Sequence, residues 1–564
     1  MLLPSSSRPP PRKRNRVVDL IVLAFASLTV CAISISWYLT TRLSLPETEP
    51  SPSLRTGAPA AIRLPPVLEE PTESMSDLRR RLPPNVWSRR QEPDADLVEH
   101  VRASLDASTQ QKIAQLCGTF WASSLVRAVQ VRQDGKTFVA TGDIDQMWTR
   151  DSAVQMGLYV SRIDQWPQLR HIVEGAIRQQ AFYLLHEPYA NSYFRNWTDT
   201  RAMTPFHRSK NRGGYVATYN YELDSGAYFL TQLYDYYVSP ALYKPEVLLE
   251  DPLIFEAVRL LVRVWTTEQN HESDSPYRYR ELKRDGRGLP TKYTGLTWSG
   301  FRPSDDPCLL HYLVPANMFA AAALERVLVM NERIWKSETL HTDASKLLDT
   351  IQQGIRDYGV VPSPEDGKPI YAYEVDGLGN AVTNYDDANF PNLLSAPLLG
   401  WSQLDMEIYE RTRERVLNPK LNSHYFVGQV FRGQGSTHTF PRFVWPMSFA
   451  VEALTSTPSQ RKESMLFQVK QSLTATCNDA AHESVNSAKG CSGAGGFSRA
   501  WFEWANAMFV VLMETAMGLS CDEIGMAESR VSTMLQTAKD DKQYAAFNNS
   551  MYYRGLEGWI QYMN

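Results

Sequence analysis

Arg499-Ala-Trp-Phe-Glu-Trp-Ala-Asn-Ala-Met-Phe-Val-Val-Leu-Met-Glu-Thr-Ala-Met517 reads as a helix with almost no polar face. Trp501, Phe502, Trp504, Met508, Phe509 and Val510 fall all round a 3.6-residue period. A helix apolar on every side is buried on most sides, as the inner helix of a barrel is. Outward from it, Ile172, Val173, Ala176, Ile177, Ala181, Leu184 and Leu185 mark one face of another helix. Further helices are expected over 221–237, 255–265, 317–335, 342–358, 445–454 and 462–475. Few stretches alternate as strands do. No Gly-rich phosphate loop opens a helix after a strand, which disfavours a nucleotide fold.

The loops between these helices mix carboxylates with Trp, Tyr, Asn or His. The densest is Thr141-Gly-Asp143-Ile-Asp145-Gln-Met-Trp148-Thr-Arg150-Asp151-Ser152. Ile144, Met147 and Trp148 thread its charges, so it is not a solvated charge run. Asp151-Ser152 can cap the helix that follows, aiming the Arg–Asp pair into a cavity. An internal salt-bridge knot is the structural alternative. Other loops are Tyr219-Asn-Tyr-Glu222-Leu-Asp224-Ser, Gly295-Leu-Thr-Trp298-Ser-Gly-Phe-Arg302-Pro-Ser-Asp305-Asp306, Asn384-Tyr-Asp386-Asp387-Ala-Asn389, Gly435-Ser-Thr-His438 and Ala481-His482-Glu483-Ser484. Together they predict one polar cavity built by loops on a rigid scaffold.

A net charge of −4 provides no basic footprint for nucleic acid. The 14 Trp and 27 Tyr suit sugar-stacking platforms and a large aromatic core equally well. Residues 1–16 form a basic tail, and 17–40 are long and apolar enough for a transmembrane signal anchor. Arg8, Arg12, Lys13, Arg14 and Arg16 precede the span, so the positive-inside rule puts everything after it across the membrane. A cleaved signal peptide is the alternative. Residues 41–85, rich in Pro, Ser, Thr and Glu, read as a flexible stem, and 86–564 as the folded domain. This is the topology of a type II membrane protein of the Golgi or ER. Five cysteines lie beyond the anchor, an odd number, with Cys477–Cys491 the first choice for a disulfide. Asn196-Trp-Thr and Asn548-Asn-Ser are glycosylation sequons that fit a lumenal domain.

Several of these blocks resemble glycoside hydrolase family 125, the exo-α-1,6-mannosidases. They are Gly142-Asp-Ile, Met147-Trp, Arg150-Asp-Ser, Glu222-Leu-Asp-Ser, the whole Gly295–Asp306 block, Asp386-Asp-Ala-Asn, Trp445-Pro-Met-Ser, His482-Glu-Ser and Arg499 with Trp501-Phe and Trp504-Ala-Asn506. The resemblance implies an all-α (α/α)6 barrel, a mannose-containing glycan as substrate, and hydrolysis without metal or other cofactor, inverting the anomeric carbon. It implies a general acid at Asp224 and a general base at Glu483. Insertions such as that around Lys283 to Arg287 set this chain apart from shorter bacterial relatives.

Glycoside hydrolysis by inversion needs one carboxylic acid on the leaving oxygen and one carboxylate to activate water. Glu222 rivals Asp224 as the acid, its other role being to pair with an arginine such as Arg150. Asp143, Arg150, Asp151, Arg302, Asp305, Asp306, Asp387, Asn389, His438 and His482 are candidate ligands for sugar hydroxyls. Trp148 and Trp298 are candidates for stacking or for the cavity wall. Two other function classes fit the topology: a glycosyltransferase holding a metal at Asp143-Ile-Asp145, and a non-catalytic mannose-binding protein on the same fold.

Overall fold

The computed structural model describes residues 73–492 and 495–540. The expected anchor at 17–40 and the sequon at Asn548 lie outside them. Among the described residues no helix is long and apolar enough to cross a membrane. Residues 73–85, expected in the stem, are packed. Helix α1 (Met75–Arg81) buries Leu78. The Leu82 carbonyl accepts the Tyr234 hydroxyl at 2.7 Å, and Asn85 donates to Asp235 through its backbone and side chain. The average composition of that stretch hid a pair of leucines one turn apart.

After α2 (Ala95–Ala103), and apart from four single-turn helices in the loops (Pro205–Arg208, Glu246–Leu249, His271–Asp274 and Lys283–Gly286), twelve helices among the described residues alternate between an outer and an inner ring. The outer ring is α3 (Ala107–Ser123), α5 (Gln168–His186), α7 (Pro252–Gln269), α9 (Glu338–Gly354), α11 (Met406–Val416) and α13 (Arg461–Thr474). The inner ring is α4 (Thr149–Val160), α6 (Leu223–Val238), α8 (Val314–Met330), α10 (Ala396–Leu399), α12 (Pro446–Leu454) and α14 (Glu503–Met517). α4 packs on α6, α6 on α8, α8 on α10, and α14 on both α12 and α4. This is the (α/α)6 arrangement, with the fourth inner helix cut to one turn. Every residue of α4, α6 and α14 is buried, as the apolar circumference of 499–517 requires. A final helix, α15 (Ile524–Asp540), follows.

The local chemistry of the termini is regular. Asp106 caps α3 by accepting the Thr109 amide, and Asp251 caps α7 ahead of Pro252. Gly518, at φ 58°, ends α14. Helix α4 begins at Thr149, so Asp151 stands in its first turn and does not cap it. The strands that the sequence did not show are short, and all pair antiparallel among the described residues. Two three-stranded sheets matter for the site. One is β1 (Gln146–Trp148), β2 (Ser192–Thr198) and β3 (Gly214–Thr218). The other is β4 (Phe443–Val444), β5 (Ser484–Asn486) and β6 (Phe497–Ser498).

Disulfides join Cys477 to Cys491, as expected, and Cys117 to Cys521; Cys308 is free and buried. Asn196 is exposed on β2, open to glycosylation.

Candidate active site

The N-terminal turns of inner helices α4 and α14, with Asn220 from the loop before α6, line one cavity of about 240 Å³. The sheet β1–β3 and the loops before α8, α12 and α14 complete it. Its wall carries Trp148, Trp445, Phe502 and Trp504; its polar lining includes Arg150, Asp151, Asn220, Asp305, His438, Glu483 and Arg499. Flat apolar faces beside interleaved donors and acceptors suit a sugar ring and its hydroxyls.

Arg150 is the hub of one side. It is 2% exposed, and its Nε donates to the Pro303 carbonyl at 2.8 Å. Four carboxylates surround it: Asp151 at 3.3 Å, Glu222 at 3.3 Å, Asp305 at 3.5 Å and Asp224 at 3.7 Å. One guanidinium cannot neutralise four carboxylates, so the cluster favours bound protons. Burial is the main cause. It raises Asp224 to about 7 and Asp151 to about 6 against the pull of Arg150, and holds Glu222 well above the usual range.

Asp224 does not reach the cavity. Its side chain is wholly buried beneath Arg150, and neither carboxyl oxygen has a hydrogen-bond partner. Glu222 is also sealed, bonded to Asn191 at 2.9 Å and to Ser225 at 2.8 Å. Both lie at the N-terminus of α6 as the sequence indicated, but the chain turns them inward. The carboxylate of the cluster that projects furthest is Asp305, whose side chain is 24% exposed. Its backbone has φ 66°, a left-handed turn that lifts the carboxyl onto the cavity wall. It accepts from Trp148 Nε1 at 3.2 Å, Asn191 at 2.5 Å and Asn220 at 3.3 Å. Asn191 carried no signal in the sequence.

Glu483 lies immediately before β5, on the cavity wall. Its Oε2 accepts from Ser498 at 3.0 Å, and Oε1 is 3.7 Å from Arg499. Arg499 is an unexpected site residue: the sequence placed it in a helix, whereas α14 begins four residues later. Its Nε donates to Asp143 at 2.6 Å, and Asp143 also accepts the Ala500 amide at 2.9 Å. Gly142 permits this staple, because a Cβ there would meet the Trp501 carbonyl at 2.8 Å. Asp143 therefore serves Arg499, while Asp145 pairs with Arg195 on the surface. The two aspartates engage different arginines and do not form the divalent-metal pair of the glycosyltransferase alternative. Arg499→Gln is expected to lower kcat about 10-fold, with Arg499→Lys intermediate and the melting temperature little changed; steady-state kinetics and calorimetry check both.

His438 lines the cavity, its Nδ1 3.1 Å from Asp306, which also takes the Thr437 hydroxyl. Burial lowers its pKa, but the Asp306 hydrogen bond and the charges of Asp305, Asp306 and Glu483 outweigh this and leave it at about 9. The imidazolium therefore persists through neutral pH and loses its proton as pH rises through about 9. KM is expected to rise over that interval, and the step should vanish in His438→Gln; a pH series of initial rates checks this.

Other expected ligands support the site from behind. Trp298 is fully buried, stacked between His271 at 3.6 Å and His311 at 4.6 Å, and is no sugar platform. Its loop folds back so that the indole completes the aromatic core. Arg302 is tied to buried Glu374 at 2.6 Å and lies over the Tyr385 ring. Asp387 is buried beneath Asn389, accepting from Tyr385, Ser304 and Ser436. Asn389 does line the cavity. Both nitrogens of His482 face carbonyls, of Arg499 at 2.8 Å and Cys477 at 2.9 Å, so it braces the Glu483 loop without facing sugar.

A ring of helical hairpins around an aromatic, carboxylate-lined cavity defines a helical glycoside hydrolase. The chain belongs to the metal-independent α-mannosidase family GH125, whose profile matches residues 110–513. It is 35% identical over 405 residues to the meiotically up-regulated gene 157 protein of Schizosaccharomyces pombe, covering 67% of this chain and 76% of that one. A metal-independent α-mannosidase of Streptococcus pneumoniae, solved as a non-productive complex with α-1,6-mannobiose, is 33% identical with a TM-score of 0.66. The match covers 75% of this chain and 97% of that one.

Proposed function

We propose that this protein removes terminal α-1,6-linked mannose from glycans with inversion, using Asp305 as the acid and Glu483 as the base. The carrying observation is that Asp305 and Glu483 both face one cavity, whereas Asp224 is sealed beneath Arg150. The α-1,6 linkage is supported by the mannobiose bound to the pneumococcal relative.

Burial raises Asp224 to about 7, but its carboxyl lies outside the cavity lining. Asp305 shares Arg150 with three other acids on the cavity wall, and Glu483 sits there beside the Arg499 cation and the Ser498 hydroxyl. In the reaction, Asp305 gives its proton to the leaving oxygen as the C1–O bond breaks. Glu483 takes a proton from the water that adds to C1 on the opposite face. The products are mannose of inverted configuration and the shortened glycan, and proton exchange with solvent resets both carboxyls. Arg150, Asp151 and His438 hold hydroxyls, and Trp148 and Trp504 offer ring faces.

No step requires a cation. Hydrolysis of α-1,6-mannobiose is expected to persist unchanged in excess chelator; activity lost to chelator and restored by calcium or manganese would sink the mechanism. Two disulfides and the exposed Asn196 sequon support a lumenal setting in the secretory pathway, anchored through residues 17–40.

A further inference from the structure

Two segments beside the site carry charge out of proportion to the chain. Residues 195–212 hold five Lys or Arg against one Asp, and residues 276–292 hold six against two acids, in a protein of net charge −4. The segments are joined: the Arg280 guanidinium donates to Ser209 Oγ at 2.5 Å, the Asn211 amide to the Arg278 carbonyl at 3.5 Å, and Lys210 pairs with Glu281. Carboxylates cancel only part of the charge, at Arg195, Arg201, Lys210 and Arg284. Arg208, Arg212, Arg278, Arg280 and Lys283 have no carboxylate within ion-pair distance among the described residues. Arg208 donates to the Thr200 and Met203 carbonyls and Arg278 to those of Ser275 and Tyr277. Such bonds fix a guanidinium in place without neutralising it.

The seam backs directly onto the active site. Tyr279, between Arg278 and Arg280, is buried against the rings of Tyr219 and Phe301. It lies within electrostatic reach of both Arg212 and Asp305. Strand β3 runs from Gly214, beside the seam, to Thr218 on the cavity wall, a span of about 14 Å. A glycan whose terminal mannose occupies the cavity can therefore reach the seam within a few sugar units.

A neutral mannoside offers nothing to pair with these cations. Guanidinium forks match the oxygens of a phosphate. Resting on the mannosidase reading above, we infer that the seam between residues 208–212 and 278–283 binds a phosphate ester carried by the glycan beyond the scissile mannose. The substrate class is then a phosphorylated oligomannoside, recognised by its charge at one end and its terminal sugar at the other.

The test compares two α-1,6-mannose-terminated oligomannosides, identical except for a 6-phosphate on the second or third sugar, with the full-length protein. At low salt the phosphorylated form is expected to have a KM at least about fivefold lower, the difference collapsing at high salt. Arg280→Gln combined with Lys283→Gln should abolish the difference while leaving kcat/KM on the neutral form unchanged, which also reports an intact fold. Arg280→Lys should retain most of it. Equal KM values in the wild type, or a phosphate advantage that survives the double variant, would overturn the inference. So would seam-dependent binding to anionic lipid vesicles with no preference between the oligosaccharides. Calorimetric binding of both compounds reads the seam without turnover. Failure to hydrolyse either sugar thus counts against the mannosidase reading, while the binding difference still decides the seam.

Discussion

Asp305→Asn is expected to lower kcat on α-1,6-mannobiose by about 10²-fold or more, while Asp224→Asn costs under about 10-fold. Asparagine keeps the size and the bonds to Trp148 and Asn220 but cannot deliver a proton. Binding should therefore change little. A leaving group that needs no protonation separates chemistry from damage. On a dinitrophenyl α-mannoside, Asp305→Asn should recover most of the lost rate, because the acid's task has been removed. If Asp224→Asn instead abolishes turnover and the activated substrate rescues it, the acid is Asp224 and the cavity opens further than its walls indicate. Asp306→Asn is a useful companion: Asp306 holds His438 and Thr437, so its loss should raise KM more than it lowers kcat.

Glu483→Gln should cost as much as Asp305→Asn, with no rescue by the activated leaving group, because water activation is needed for either substrate. The configuration of the first-formed product provides the second readout. Proton NMR at early times should show β-mannose ahead of mutarotation. First-formed α-mannose would make one of the carboxylates a nucleophile and the proposed division of labour wrong. The surroundings of Glu483 make the variant informative: the Ser498 hydroxyl and Arg499 fix the side chain from two directions, so glutamine can occupy the same place.

The helices, and the burial of one of them on nearly every side, were legible because helix burial is written in a local period; the six-hairpin barrel was implied by the resemblance to the family. The nearly all-apolar circumference of 499–517 requires a surrounding layer whatever the loops do. Charge and cysteine count were legible for the same reason: they are sums and spacings. The loops bearing the site were legible too, since buried charge beside tryptophan stands out from a solvated surface. What the sequence could not decide was which carboxylate of a loop faces the cavity. Glu222, Asp224 and Asp305 all approach Arg150, and residues on three separate loops determine that only Asp305 emerges. That outcome rests on a left-handed backbone at Asp305 and on Asn191 arriving from the position just before β2. Neither leaves a periodic trace. Likewise Trp298 and Trp148 are equivalent as letters; the stack of His271 and His311 makes one a core residue, and a hydrogen bond to Asp305 makes the other a wall. Local periodicity sets which elements form, whereas the direction of each buried charge is set by partners from distant parts of the chain, and those meet only in the folded protein.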